Sequence, residues 1–514
     1  MKRYHQYIIL LFCIAMTACN KVIDLYPQSN LNTGTYYSNL EEVRAALTGC
    51  YNGLQKPMAS EWQFTELRSD NTKQGVPGST ASTNRDLSDL DMFVPSTSHA
   101  AIYTYWLATY NNIHNVNLVL QKLGVSYDAA AGTINFNAIN IPIADGDRKK
   151  LAAEALFIRG YHYFNLVRLF GGVFLVTDPI SPAEAKTMNR ASVADIYKLI
   201  EADMKAAAAN GINTKFTLMA AGDIGKANSW AAKGLLAKVY LTMNRKSDAI
   251  PLLQDVMTNS GYSLQGTYAN VFSVSNEMNS EIIFAVRYKA GGIGLGSPFA
   301  NAFAPLSSGS AVVNGDGKGL NYPTAEIDTA FISTDARRAV SIGVYGSGTA
   351  AKLYVKKYVS TVAVADDAEN DWPVLRFADI LLMLAEAQGF VPNSISLINQ
   401  VRARSLPVVN PGPGNIADFE QLLANERRLE FAFENQRWFD LVRFNTTLTT
   451  IKAEQRMKDH FANEYNAHYK LYTAPALTLA ELQGAVVANK LILPIPQREI
   501  DNNTQLKIAQ NPGY

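Results

Sequence analysis

The densest group of residues able to do chemistry lies between Asn425 and Arg443, where Glu426, Glu430, Glu434 and Asp440 alternate with Arg427, Arg428, Arg437 and Arg443. Two carboxyl groups across a sugar–sugar bond are what glycoside hydrolysis requires, one as acid and one as base or nucleophile. The spacing favours architecture instead. Arg427 and Glu430, Glu434 and Arg437, and Asp440 and Arg443 each stand three residues apart, which makes them neighbours on a helix surface. The stretch reads as helices laced by their own ion pairs, with Asn435 as a left-handed break between two of them.

Other groupings carry less. Gly291-Gly292-Ile293-Gly294-Leu295-Gly296 follows an apolar run but lacks the repeated strand–helix pattern of a dinucleotide site, so it reads as a surface loop. Asn314 to Gly319 resembles the front of a calcium loop, yet Lys318 sits at the fifth position and Ala325 at the twelfth, where oxygen ligands belong. The six histidines (5, 99, 114, 162, 460 and 468) form no two-histidine metal motif, and no Gly-x-Ser-x-Gly elbow occurs. No cofactor and no metal ion are expected. Cys50 lies on the helical stripe Leu40, Val43, Leu47, Cys50, Leu54 and reads as a buried thiol.

Ligand chemistry is better sought among aromatic residues in loops, because sugar rings stack their C–H faces on aromatic faces while amides, carboxylates and guanidinium groups bind hydroxyls. Trp62, Phe93, Tyr288 and Phe299 are the aromatic candidates, and Arg68, Asp70 and Asn71 lie close enough to Trp62 in sequence to supply polar contacts. The ligand-binding set read from sequence is therefore Trp62, Arg68, Asp70, Asn71, Tyr288 and Phe299, with no catalytic residue.

The elements that must position these residues are mostly helices. Apolar residues recur at helical spacing over residues 99–123 and 148–170, the latter closed by Gly171-Gly172. Helical patterns follow at 192–209, 226–243 and 246–258, and a late set at 376–388, 394–404, 418–434 and 436–444. Residues 231–257 resemble a tetratricopeptide-type hairpin, with small residues such as Ala237 and Ala249 allowing close helix approach and Asn244 at the turn. Between residues 261 and 348 the texture changes: 13 of the chain's 33 glycines fall there, too many for stacked helices. That region reads as loops with short strands such as 282–288, and residues 60–98 as a smaller loop insertion.

The first nineteen residues address the chain. Lys2 and Arg3, an apolar run from Ile8 to Ala15, and Met16-Thr17-Ala18 before Cys19 have the layout of a secretory signal ending at a lipid-modified cysteine. Residues 1–18 would be removed, Cys19 acylated, and residues 19–37 left as a tether. The apolar run is far short of the ~20 residues that span a bilayer. Without the leader, 44 basic side chains stand against 45 acidic ones, so nothing steers the protein toward nucleic acid.

Several segments together resemble the SusD/RagB family of lipid-anchored, outer-membrane nutrient-binding proteins. They are Glu66-Leu67-Arg68-Ser69-Asp70-Asn71, Glu154-Ala155-Leu156-Phe157-Ile158-Arg159 with the following stretch to Gly171-Gly172, Leu375 to Ala387, Ile398 to Arg404, the charged helix, and the ending Gln510-Asn511-Pro512-Gly513-Tyr514. Phe174 departs from the family pattern, standing where a proline commonly follows the double glycine. The resemblance implies a mainly α fold, a SusD-like superhelix of degenerate tetratricopeptide-like pairs with a loop-rich, minor-β region. One SusD-like domain would cover residues 38–514, its scaffold at about 38–260 and 372–514 and its insertions at about 60–98 and 261–371. It also implies capture of an oligosaccharide or polysaccharide at the outer face of the outer membrane and transfer to a SusC-like TonB-dependent barrel, without bond cleavage. A peptide-binding uptake protein of the same family and a glycan-cleaving enzyme are the alternatives.

Overall fold

A computed structural model describes residues 37–76, 82–406, 412–503 and 505–514. The leader, Cys19 and all of the expected tether except Tyr37 lie outside the described residues.

Helices begin where a side chain can accept the first free backbone N–H groups. Asn39 caps Leu40–Asn52, Ser192 caps Val193–Asn210, Asn228 caps Ser229–Thr242 and Asn415 caps Ile416–Glu430. The longest helix, Asp145–Phe170, is buried almost all round from Leu151 to Phe170 and forms the spine of the core. It packs against Val193–Asn210 so closely that a Cβ on Gly160 would lie 2.4 Å from the Met204 methyl. Each following helix packs on its predecessor: Ser229–Thr242, then Lys246–Asn259, then, after a long excursion of the chain, Phe377–Gln388 and Pro392–Ala403. Ala100–Lys122 covers the other flank of the spine. The architecture is a mainly α stack of paired helices over one continuous apolar core.

Asn244 takes φ 56° at the turn of the hairpin, a left-handed value that asparagine accepts more readily than most residues. Asn435 does the same at φ 60°, between Ile416–Glu430 and Arg437–Thr447.

The excursion over residues 261–371 is held by strand pairing. Ile282–Val286 pairs antiparallel with Trp372–Arg376, with Ile282 opposite Arg376 and Val286 opposite Trp372, closing the excursion at its base. Three further two-stranded antiparallel ladders join 72–73 with 322–323, 125–128 with 133–136 and 342–345 with 352–355. The segment expected as a loop at residues 60–98 instead contains much of Gln55–Thr65 and all of the Ser82–Asp91 helix. Among the described residues, no helix is long and apolar enough to cross a membrane.

Candidate functional site

The candidate residues read from sequence are all buried. Trp62 points inward from Gln55–Thr65; its indole N–H donates to the Ala59 carbonyl at 3.1 Å and its ring meets Phe303 edge-on at 5.4 Å. Phe299 packs on Phe303 at 5.6 Å, Tyr288 at 5.7 Å and Trp372 at 4.4 Å, so the structure brings Trp62, Tyr288 and Phe299 into one internal aromatic cluster. Arg68 lies between Phe93 and Trp438, 4.6 and 5.0 Å from their centroids, and donates to the Lys490 carbonyl at 2.7 Å. Asp70 accepts from Arg437 at 2.7 Å and Arg456 at 2.6 Å and pairs with Arg428 at 3.1 Å. Burial alone would raise its carboxyl; these guanidinium groups hold it well below the ordinary carboxylate range. Asn71 donates to Glu66 at 3.2 Å and accepts from Arg428 at 2.8 Å. These side chains frame the core, and Tyr288 also borders an opening, the cleft taken up below.

The charged helix is also internal. Arg427 pairs with Asp440 at 2.8 Å and Asp379 at 2.9 Å rather than with Glu430. Glu430 binds Arg376, Arg404 and Arg337, while Glu434 binds Lys357 and Arg376. Arg437 binds Asp70. Of the three pairs expected at helical spacing, the structure forms Asp440–Arg443, at 2.8 Å. The other charges find partners across the core, where a carboxylate needs hydrogen bonds as well as a counter-ion to offset its lost hydration.

The Gly291–Gly296 loop offers its backbone N–H groups to the chain itself. Gly291 and Gly292 both donate to the Asp367 carboxylate at 2.8 Å, and Ala290 donates to Glu369 at 3.1 Å. An internal carboxylate thus occupies the place a phosphate would take. At residues 314–319, backbone carbonyls that could face a cation accept from the Asn301 amide instead. Among the described residues, no group of three or more His, Cys, Asp or Glu is placed to hold a metal ion.

A groove of about 440 Å³ runs along the outer face of Ala100–Lys122. Helical spacing puts Trp106, Leu107, Tyr110 and His114 on its floor. Phe174 forms the facing wall, projected by the turn at Gly171-Gly172. Gly171 adopts φ 70°, and a Cβ on Gly172 would lie 2.7 Å from the Ala191 carbonyl, so neither position suits a larger residue. The wall is fixed by an antiparallel bridge from Phe174 to Arg190 and by Tyr110, whose hydroxyl donates to the Phe174 carbonyl at 2.8 Å. The Trp106 and Tyr110 rings lie 5.0 Å apart, and Phe174 stands edge-on to Trp106 at 6.0 Å. Tyr110 and Phe174 are half-buried and Leu107 is exposed, so apolar faces remain open.

Polar groups rim the groove: His114, Lys186, Asn502, Asn503 and Glu499, the last from the Gln497–Asn502 helix. Burial raises the Glu499 carboxyl and a hydrogen bond from Trp106 opposes that rise. Aromatic faces beside amides and one carboxyl can take a ligand with apolar C–H faces and a fringe of hydroxyls. Sequence reasoning missed this site because its walls come from residues 106–114, 174–188 and 499–503. The visible signal was Phe174, an aromatic residue where the family pattern has proline.

Two family models match the sequence, one described as "SusD family" over residues 337–514 and one as "Starch-binding associating with outer membrane" over residues 23–241. The chain belongs to the SusD/RagB family. SusD-like protein P25 of Formosa agariphila is 24% identical, over 93% of this chain and 95% of its own. A SusD-like protein of Bacteroides ovatus is 23% identical, over 96% of this chain and 95% of its own. Among solved structures, a laminarin-binding SusD-like protein superposes with a TM-score of 0.72 at 24% identity, covering 93% of this chain and all of that one. Surface glycan-binding protein A from Bacteroides thetaiotaomicron, solved with laminarihexaose, superposes with a TM-score of 0.72 at 16% identity, covering 92% of this chain and 99% of that one. At these identities, the structural likeness establishes the fold.

Proposed function

We propose that this protein captures an oligosaccharide or polysaccharide at the cell surface and holds it in the groove along Ala100–Lys122. Acylated Cys19 anchors it to the outer membrane, and a SusC-like TonB-dependent barrel receives the glycan. The observation that carries the reading is the pairing of open Tyr110 and Phe174 faces with a rim of amide and carboxyl groups. Solved relatives of the same fold that bear the names laminarin-binding and glycan-binding support it. Binding without cleavage is supported by the fate of Glu426, Glu430, Glu434 and Asp440, each buried in ion pairs and withdrawn from any substrate.

Affinity electrophoresis of the purified protein in gels containing laminarin, other neutral polysaccharides or none tests the reading. Retardation by at least one glycan is expected, and Phe174→Ala weakens it by about tenfold, the equivalent of one aromatic–sugar contact. Unchanged retardation in Phe174→Ala removes the groove from the site. Release of reducing ends from a retained glycan overturns the binding-only reading. Isolation of the lipidated protein in detergent, with a large barrel co-purifying, tests the partner.

A further inference from the structure

A second opening, of about 460 Å³, lies where the scaffold meets the loop-rich region, between Leu40–Asn52 and the end of the strand Ile282–Val286. We infer that this cleft binds the anionic group of an acidic saccharide, a carboxylate of a uronic acid or a sulfate ester. The inference rests on the reading of the protein as a saccharide-capture protein and adds a charge class to its ligand.

Three cations line the cleft, Lys226, Arg287 and Lys289, and no aspartate or glutamate does. The excess is confined to the cleft surface, because four carboxylates, Asp223, Glu277, Glu369 and Asp371, stand behind these cations. Alternation along extended chain explains part of the arrangement: Arg287 and Lys289 fall on one side, while Tyr288 between them turns inward and donates from its hydroxyl to the Gln55 carbonyl at 3.3 Å.

Each cation has a carboxylate partner within the protein. Lys226 pairs with Asp223 at 3.0 Å, Arg287 with Asp371 at 2.9 Å and Glu277 at 3.2 Å, and Lys289 with Glu369. The cationic side chains are 43 to 66% exposed and their partners 10 to 35%, so in every pair the cation is the more exposed member. Arg287 makes its two ion-pair hydrogen bonds through Nε and Nη2, and among the described residues Nη1 has no hydrogen-bond partner. Gly225 lies beside that guanidinium, and a Cβ there would stand 3.4 Å from Nη1. A guanidinium edge with two ammonium groups around it suits the planar oxygens of a carboxylate or the oxygens of a sulfate. Asn52 and Thr48 line the scaffold side of the cleft, where sugar hydroxyls would lie.

Affinity electrophoresis of the purified protein with four probes tests this: polygalacturonate for uronates, dextran sulfate for sulfate esters, and dextran and laminarin as neutral chains. Expected is retardation by at least one acidic probe, lowered at least about tenfold in Lys226→Gln/Arg287→Gln/Lys289→Gln. Lys226→Gln/Lys289→Gln, which keeps the Arg287–Asp371 pair, should show an intermediate loss and guards against misfolding of the triple variant. Which acidic probe is retained identifies the anion. Equal retardation of triple variant and native protein by the acidic probes overturns the inference, as does retardation by neutral chains alone, which leaves the groove reading intact. Acidic retention that survives Phe174→Ala but not the triple variant upholds the cleft and overturns the groove as the principal site. Retardation by no probe overturns both.

Discussion

The interior beneath Ile416–Glu430 and the groove along Ala100–Lys122 use the same kinds of residue, aromatic rings beside charged and amide groups, to opposite ends. In the interior the charges turn to other parts of the chain: three arginines converge on Asp70, and Arg68 is sandwiched by Phe93 and Trp438. In the groove the rings of Tyr110 and Phe174 keep faces toward solvent and the amides lie on the rim. Residue type therefore does not separate framework from site here. What separates them is whether the chain itself completes the contacts.

The contrast breaks most readily at Asp70. Asp70→Ala leaves Arg428, Arg437 and Arg456 without their shared carboxylate and should cost about 3–5 kcal/mol in urea unfolding, the usual penalty for an uncompensated buried charge. A loss below about 1 kcal/mol would mean that water reaches this network. Trp62→Ala should likewise lower stability by about 3–5 kcal/mol through the cavity it leaves. Glycan retention per folded molecule should stay unchanged; a stable variant with weakened retention would place Trp62 in the site after all.

Glu66 sharpens the comparison through pH. Burial pushes its carboxyl up to about 8, so the folded protein keeps a proton there that the unfolded chain releases near pH 4.5. Its contribution is full below pH 4.5 and is lost as pH rises toward 8, because over that window the unfolded state binds fewer protons. Glu66→Gln should therefore raise stability by about 1–3 kcal/mol at pH 8–9 relative to its effect at pH 4, read from paired unfolding curves. The smallest effect is expected at the groove wall. Tyr110→Phe removes the hydroxyl that fixes Phe174, at about 0.5–1.5 kcal/mol, and should weaken glycan retention only severalfold.

Much of the scaffold is legible in the sequence because helices leave a local signature. Residues 99–123 and 148–170 show the periodicity that becomes Ala100–Lys122 and Asp145–Phe170, and Asn244 and Asn435 stand at turns that need a left-handed backbone. Gln55–Thr65 was obscured by Pro57 near its start, where a missing N–H costs nothing, and Ser82–Asp91 by having so few apolar residues. The ion pairs of the charged helix show the limit of local reasoning. Sequence spacing identifies which charges are near neighbours, but Arg427 chooses Asp440 and Asp379, and Glu430 chooses arginines 26 to 93 residues away in the chain.

By itself, the sequence determined the helical scaffold, the family to which the chain belongs and the glycine-rich break at residues 261–348, because periodicity, caps and motif order are written into neighbouring residues. Only the tertiary structure decided that Trp62, Arg68, Asp70, Asn71 and Phe299 are enclosed while Tyr110 and Phe174 lie open. Exposure depends on which distant segments pack over a residue, and no stretch of chain specifies that alone.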